Sequence, residues 1–170
     1  MWKHTGKQRP AFAIEPGSGQ ESVWDYPRPP VLVATDEHVQ VSHNNAILAD
    51  TYAALRVLET ASPPTYYIPA AAIDWSQLEA IAHSSFCEWK GRASYFALAG
   101  DSSRNPVAWQ YANPSTSFAA IDGHASFYPS RVCCEVNGER VIPQAGEFYG
   151  GWITRRVVGP FKGEPGTGHW

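Results

Sequence analysis

The segment Arg131–Ile142 constrains the fold more than any other. It runs through Arg131-Val132-Cys133-Cys134-Glu135-Val136, turns at Asn137-Gly138 and returns through Glu139-Arg140-Val141-Ile142. Asn-Gly between two apolar-alternating runs is the strongest short-range hairpin signal, because a tight hairpin turn needs φ > 0 and these residues accept it. The same device stands earlier. Glu37-His38-Val39-Gln40-Val41 alternates in period two, Asn44-Asn45 supplies the turn, and Ala46-Ile47-Leu48-Ala49 returns. Two hairpins this far apart predict an antiparallel β protein.

Composition agrees. The chain has 22 aromatic residues and 28 Pro plus Gly among 170, but only six leucines. A helical bundle needs long Leu-rich stripes, whereas rings with frequent turn punctuation suit short strands and ordered loops. Further strands are expected at Thr65–Ile68, Gly91–Leu98, Val107–Tyr111 and Ala125–Tyr128. Helical turns are expected within Ile73–Leu78, capped by Asp74 or Ser76, and within Pro114–Ile121. Tyr52–Glu59 fits either a short helix or a strand. Residues 1–22 read as a polar arm that stays loose unless it lies across the domain. Residues 23–145 read as the β domain. Residues 146–170 hold seven of the fourteen glycines, interleaved with Trp152, Phe161 and Trp170; this tail is expected to pack on the domain.

Several function classes are disfavoured. A net charge of −3 gives no drive toward nucleic acid or an anionic membrane. No apolar run approaches the ~20 residues of a membrane span, and residues 1–20 lack a signal-peptide core. Three cysteines, two of them adjacent, do not form a secreted disulfide framework. These features predict a cytoplasmic, bacterial-type protein.

Four chemistries are open to residues of these types. No metal and no cofactor is expected: there is no C-x-x-C, and Cys133 and Cys134 point to opposite faces of a strand. Nucleophilic chemistry would centre on Cys87, activated by Lys90 or His83, against the alternative of a small buried hydrophobe. Cations stand near glycines at Lys90-Gly91-Arg92 and again at Arg155-Arg156 with Lys162-Gly163, but no phosphate-loop pattern is present, and solvated cations flanking turns are the competing reading. The aromatic inventory is the fourth feature. Rings beside Pro and Gly at strand ends suit the lining of a concave pocket, with the core as the competing use.

The motifs in order resemble the domain-of-unknown-function 427 family. They are Val23-Trp24-Asp25-Tyr26-Pro27-Arg28-Pro29, Leu55-Arg56-Val57-Leu58-Glu59-Thr60 with Pro63-Pro64-Thr65-Tyr66-Tyr67-Ile68-Pro69, Cys87-Glu88-Trp89-Lys90-Gly91-Arg92-Ala93-Ser94-Tyr95-Phe96, Ala108-Trp109-Gln110-Tyr111, Phe127-Tyr128-Pro129 and the glycine tail, across residues 23–163. The resemblance implies a β-tent-like fold, in which two antiparallel sheets meet at an angle. Relatives of that shape hold zinc with two C-x-x-C pairs, which this chain lacks. Packing of its Pro and aromatic segments is expected in the metal's place. The family brings no established activity.

The leading expectation is a small-molecule-binding β domain. Its pocket would be built from Tyr26, Arg56, Tyr66, Trp89, Tyr95 and Trp109 with Cys87 and Lys90, and Arg56 or Lys90 would meet an anionic ligand group. Two alternatives stand beside it: a thiol-dependent enzyme using Cys87 with Lys90 and His83, and an interaction module whose tail binds a partner protein or a second copy.

Overall fold

Both asparagine turns close hairpins in the computed structural model, which describes residues 1–170. Asn44, Asn45, Asn137 and Gly138 all have positive φ, between 48° and 78°. The strands, in chain order, are β1 (Glu21–Ser22), β2 (Val31–Ala34), β3 (Val39–His43), β4 (Ala46–Thr51), β5 (Leu55–Leu58), β6 (Thr65–Tyr67), β7 (Leu78–Cys87) and β8 (Gly91–Leu98). They continue as β9 (Pro106–Tyr111), β10 (Ala125–Phe127), β11 (Cys133–Val136), β12 (Glu139–Arg140), β13 (Ile142–Pro143), β14 (Trp152–Ile153) and β15 (Val157–Val158). Helical structure is limited to short 3₁₀ turns, including Trp75–Gln77 and Thr116–Ile121. Asp74 caps the former, its side chain accepting from the Ser76 N–H. No helix is long and apolar enough to cross a membrane.

The protein is mainly β, with several antiparallel sheets. Two sheets have four strands, in the orders β12-β11-β3-β4 and β10-β9-β8-β7. A third has the order β2-β5-β6, and two-stranded pairs form from β13-β14 and β1-β15. Residue Ile68, just after β6, exchanges both backbone hydrogen bonds with Ala125 at the start of β10, which joins the third sheet to the second. The Tyr52–Glu59 ambiguity resolves to strand: β5 is held between β2 and β6, and its pairing decides what local propensity left open.

The main core lies between the sheets. Alternation places Val39 and Val41 of β3 inward with no exposed surface, beside Leu48, Ile68, Phe127, Cys134 and Trp152. Trp152 arrives from the C-terminal segment. It stacks on Tyr66 with ring centroids 5.0 Å apart, and its indole N–H donates to the Phe127 carbonyl at 3.0 Å. Truncating so buried a ring costs about 3–5 kcal/mol. Cys133 and Cys134 do point to opposite faces, and only Cys134 is buried.

The N-terminal residues lie across the domain. The Ile14 N–H donates to the Gly159 carbonyl, and β1 pairs with β15 in parallel. Phe12 and Trp24 each pack against Trp170 with centroids 5.2 Å apart. The first and last segments therefore share one aromatic cluster.

One strand escapes the sequence reading. Residues 78–87 form a ten-residue strand at the sheet edge, a stretch in which the sequence carries no strand signal. Glu79, Ala80, Ala82, Ser84 and Ser85 have weak β preference. Backbone pairing to β8 holds them extended, with a register shift between Ile81 and Ser84. The turn is confined to Glu88–Lys90.

Candidate functional site

Pairing in the second large sheet gathers one set of side chains on one face. Tyr95 of β8 stands opposite Trp109 of β9, and Ala93 stands opposite Tyr111 and Ser85. Because side chains alternate, Ser85 and Cys87 of β7 share this face with Tyr95, Trp109 and Tyr111. Above it opens a cleft of about 510 Å³. The small Ala93 leaves room between the rings. Pro63 and Thr65 form one wall, and the C-terminal segment adds Gln144, Phe148–Gly151 and Lys162. Trp2 lines it from the N-terminal arm.

The floor is braced internally. The Trp109 indole N–H donates to the Tyr67 hydroxyl at 3.0 Å, and Trp109 packs on Tyr128 at 4.6 Å between centroids. The hydroxyls of Ser85 and Tyr95 are 2.7 Å apart. Burial pushes the phenols of Tyr67, Tyr111 and Tyr128 well above their ordinary range, so each stays neutral and able to donate. The Glu88–Lys90 turn is tied down: the Ser115 hydroxyl donates to the Trp89 carbonyl at 2.5 Å and the Ser115 N–H to the Lys90 carbonyl at 3.0 Å. The Lys90 amine then lies 5.7 Å from the Tyr111 ring centre and 5.6 Å from that of Phe118.

The tail wall depends on two glycines. A Cβ on Gly150 would lie 2.2 Å from the Trp109 ring, and one on Gly151 would lie 2.3 Å from the Gln144 side-chain oxygen. Gln144 accepts from the Gly151 N–H at 3.1 Å and donates to the Lys162 carbonyl at 2.6 Å. Phe86 and Phe148, at 75% and 79% exposure, stand at the rim.

Cys87, Trp89, Lys90, Tyr95 and Trp109 all line this one cleft. His83 does not line the cleft. It sits exposed near the β7 irregularity with its ring 4.6 Å from Tyr95. Four residues of strand, on the order of 10 Å, separate it from Cys87, too far for direct proton transfer.

Tyr26, Arg56 and Tyr66 also stand elsewhere. Arg56 is 1% exposed and makes a two-pronged pair with Glu21, with bonds of 2.6 and 3.4 Å. Tyr26 donates to Glu21 at 3.0 Å, Tyr66 donates to Glu37 at 3.0 Å, and Arg156 donates to Glu37 at 2.7 Å. These three residues are structural: the Arg56 charge is paired and both phenols are bonded within the fold, while the buried Arg56 Nε has no partner. Tyr66 and Tyr67 do face opposite sides, yet both are 1% exposed, because this part of the sheet is covered on both faces. Tyr67, Tyr111, Tyr128 and Lys162 are among the cleft residues outside the expected pocket. The alternation opposite Tyr66 was the available signal for Tyr67. For Lys162 the local signal was its place beside Gly163, which pointed to a phosphate turn and not to this cleft.

The profile of a family described as a domain of unknown function (DUF427) matches residues 31–138. The chain belongs to this family. The matched stretch contains the cleft floor from Val57 to Tyr128, while Trp2, Gln144, Phe148–Gly151 and Lys162 lie outside it. A search of curated proteins finds no match. No group of three or more His, Cys, Asp or Glu side chains is placed to hold a metal ion.

Proposed function

We propose that this family member binds a small, ring-bearing anion in the cleft. One observation carries the reading: Trp89, Tyr95, Trp109 and Tyr111 converge with two amines, Lys90 and Lys162, around a cavity of ligand size. Of the two acids that line it, Glu59 lies 3.3 Å from the buried Arg28 guanidinium, so its charge is already matched. Neither lysine is ion-paired to a side-chain carboxylate. Rings supply apolar contact, neutral phenols supply donors, and Lys90 supplies the charge that Arg56 cannot. The three free thiols suit a reducing compartment such as the cytoplasm.

The test is a fluorescence titration with naphthoate, a two-ring carboxylate. A saturable change in tryptophan emission is expected, weakened about tenfold or more by Trp89→Ala or Lys90→Gln. Absence of saturation, or equal affinity in both variants, overturns the proposal. A second reading, a thiol-dependent reaction at Cys87, is supported by its position: of the three cysteines, it alone lines this cleft.

A further inference from the structure

A second concavity, of about 210 Å³, opens at one end of the sheet β12-β11-β3-β4 and shares no lining residue with the cleft. Three stretches of chain meet there. The β3–β4 hairpin brings Ser42, His43 and Asn44, the loop before β11 brings Ser130 and Arg131, and β12 brings Arg140. Strand register sets the meeting: Ser42 stands opposite Cys133 and Arg140 opposite Glu135. No Asp or Glu lines this recess, and neither arginine is ion-paired. Glu135 accepts from the Cys133 thiol, at 3.9 Å, rather than from the Arg140 guanidinium. Asp101, within electrostatic reach of His43, accepts from the Ser103 hydroxyl at 2.8 Å and from its N–H at 3.0 Å.

We infer that this recess binds a phosphate group. The inference is independent of the cleft reading. Arg131 is fixed in advance: Nη1 donates to the Pro106 carbonyl, and the guanidinium lies 4.4 Å from the Tyr128 ring centre. Those contacts orient its plane and leave its other N–H groups for a ligand. A guanidinium presents paired donors that match two oxygens of one phosphate, which an ammonium cannot do. Arg140 adds a second charge, and the hydroxyls of Ser42 and Ser130 add donors for the remaining oxygens. Like charges lining one concavity concentrate anions in it, although the chain as a whole carries −3.

Inorganic phosphate, titrated calorimetrically into the full chain at an ionic strength held constant with chloride, tests this. Saturable binding is expected, weakened about tenfold or more in Arg140→Gln and unchanged in the cleft variant Lys90→Gln. Arg140 is exposed, so its variant should keep the native urea midpoint. Phosphate should also slow maleimide labelling of Cys133, which lines the recess, and leave Cys87 as it was. Methyl phosphate separates the two sources of the group: affinity kept or raised assigns the site to an ester, affinity lost assigns it to the free anion, and either result supports a phosphate site. Absence of saturation, native affinity in Arg140→Gln, or equal slowing of both thiols overturns the inference.

Discussion

Arg56 Nη2 lies 2.6 Å from Glu21 Oε1, and this pair joins parts of the chain that no strand ladder connects. Glu21 belongs to β1, Arg56 to β5, and Arg156, 3.4 Å from Glu21, to the loop before β15. Arg156 also reaches Glu37, which accepts from Tyr66 and Thr35. Two arginines thus face two glutamates, and the charges balance. The network ties the first and last segments to the domain. Arg56→Ala leaves Glu21 with one cation and opens space beneath Tyr26. Breaking such a buried pair costs about 3–5 kcal/mol. Arg56→Lys keeps the charge but loses the fork, and is expected to recover only part of that loss. Urea denaturation of both variants measures it, and a midpoint for Arg56→Ala equal to that of the native chain would contradict the assignment.

The same carboxylate gives stability a pH dependence. Burial alone would raise the Glu21 pKa. The hydrogen bond and charge of Arg56, with Arg156 and Tyr26, outweigh it and hold the carboxyl below its ordinary value of 4.5. A folded-state pKa below the unfolded one stabilises the fold above the unfolded pKa, and that contribution is lost as pH falls through the folded pKa. Stability should therefore fall as pH drops below about 4.5, with Asp25, held down by Arg9, contributing in the same direction. Glu21→Gln should be less stable than the native chain at neutral pH but lose less on acidification. Equal acid limbs in the two proteins, followed by tryptophan emission, would exclude Glu21 as a source.

What the sequence revealed follows from how local each signal is. The two hairpins were legible because Asn44-Asn45 and Asn137-Gly138 carry a backbone requirement that few other residues meet. β8 and β9 were legible from their aromatic, β-prone runs. β7 was not, because its residues are extended by pairing to β8 rather than by their own preference. The pocket divided the same way. Cys87, Trp89, Lys90 and Tyr95 sit along one hairpin, so finding one finds the others. Arg56, Tyr26 and Tyr66 look identical in sequence whether they face a ligand or a buried acid. The acids that claim them come from afar: Glu21 is 35 residues from Arg56, and Glu37 is 29 from Tyr66. Lys162 reaches the cleft only because the chain returns across the domain after β15.

Exposure separates the three thiols. Cys134 has no exposed surface, and burial pushes its thiol well above the ordinary range. Cys87 and Cys133 are half-buried. Only the thiolate attacks a maleimide or a disulfide reagent, so Cys134 should remain unmodified in the native protein while the other two react. Naphthoate should slow Cys87 and leave Cys133, which lies by Arg131 and Arg140 in a separate polar recess, unchanged. Equal protection of both would mean that the probe acts on the fold and not in the cleft.

Gly150 gives the sharpest test of the cleft wall. Its backbone lies against the Trp109 ring so closely that an added methyl would stand 2.2 Å from Cη2 and 2.7 Å from Cζ3. Trp109 cannot retreat freely, since its indole N–H is bonded to Tyr67 and its ring is packed on Tyr128. Gly150→Ala must therefore displace the Phe148–Gly151 segment outward. Overpacking of this kind costs about 1–3 kcal/mol. The displaced segment carries Phe148 and Tyr149 away from the rim and weakens the contact of Tyr149 with Lys162. Naphthoate affinity should drop by more than the global stability loss explains, because the wall moves while the floor stays. Gly138→Ala is the control: nothing lies within 4 Å of its added Cβ, so that variant feels only the strain of its φ of +78°. It should lower stability and leave naphthoate binding as it was. If Gly150→Ala binds naphthoate as tightly as the native chain does, the tail is not a wall of the site.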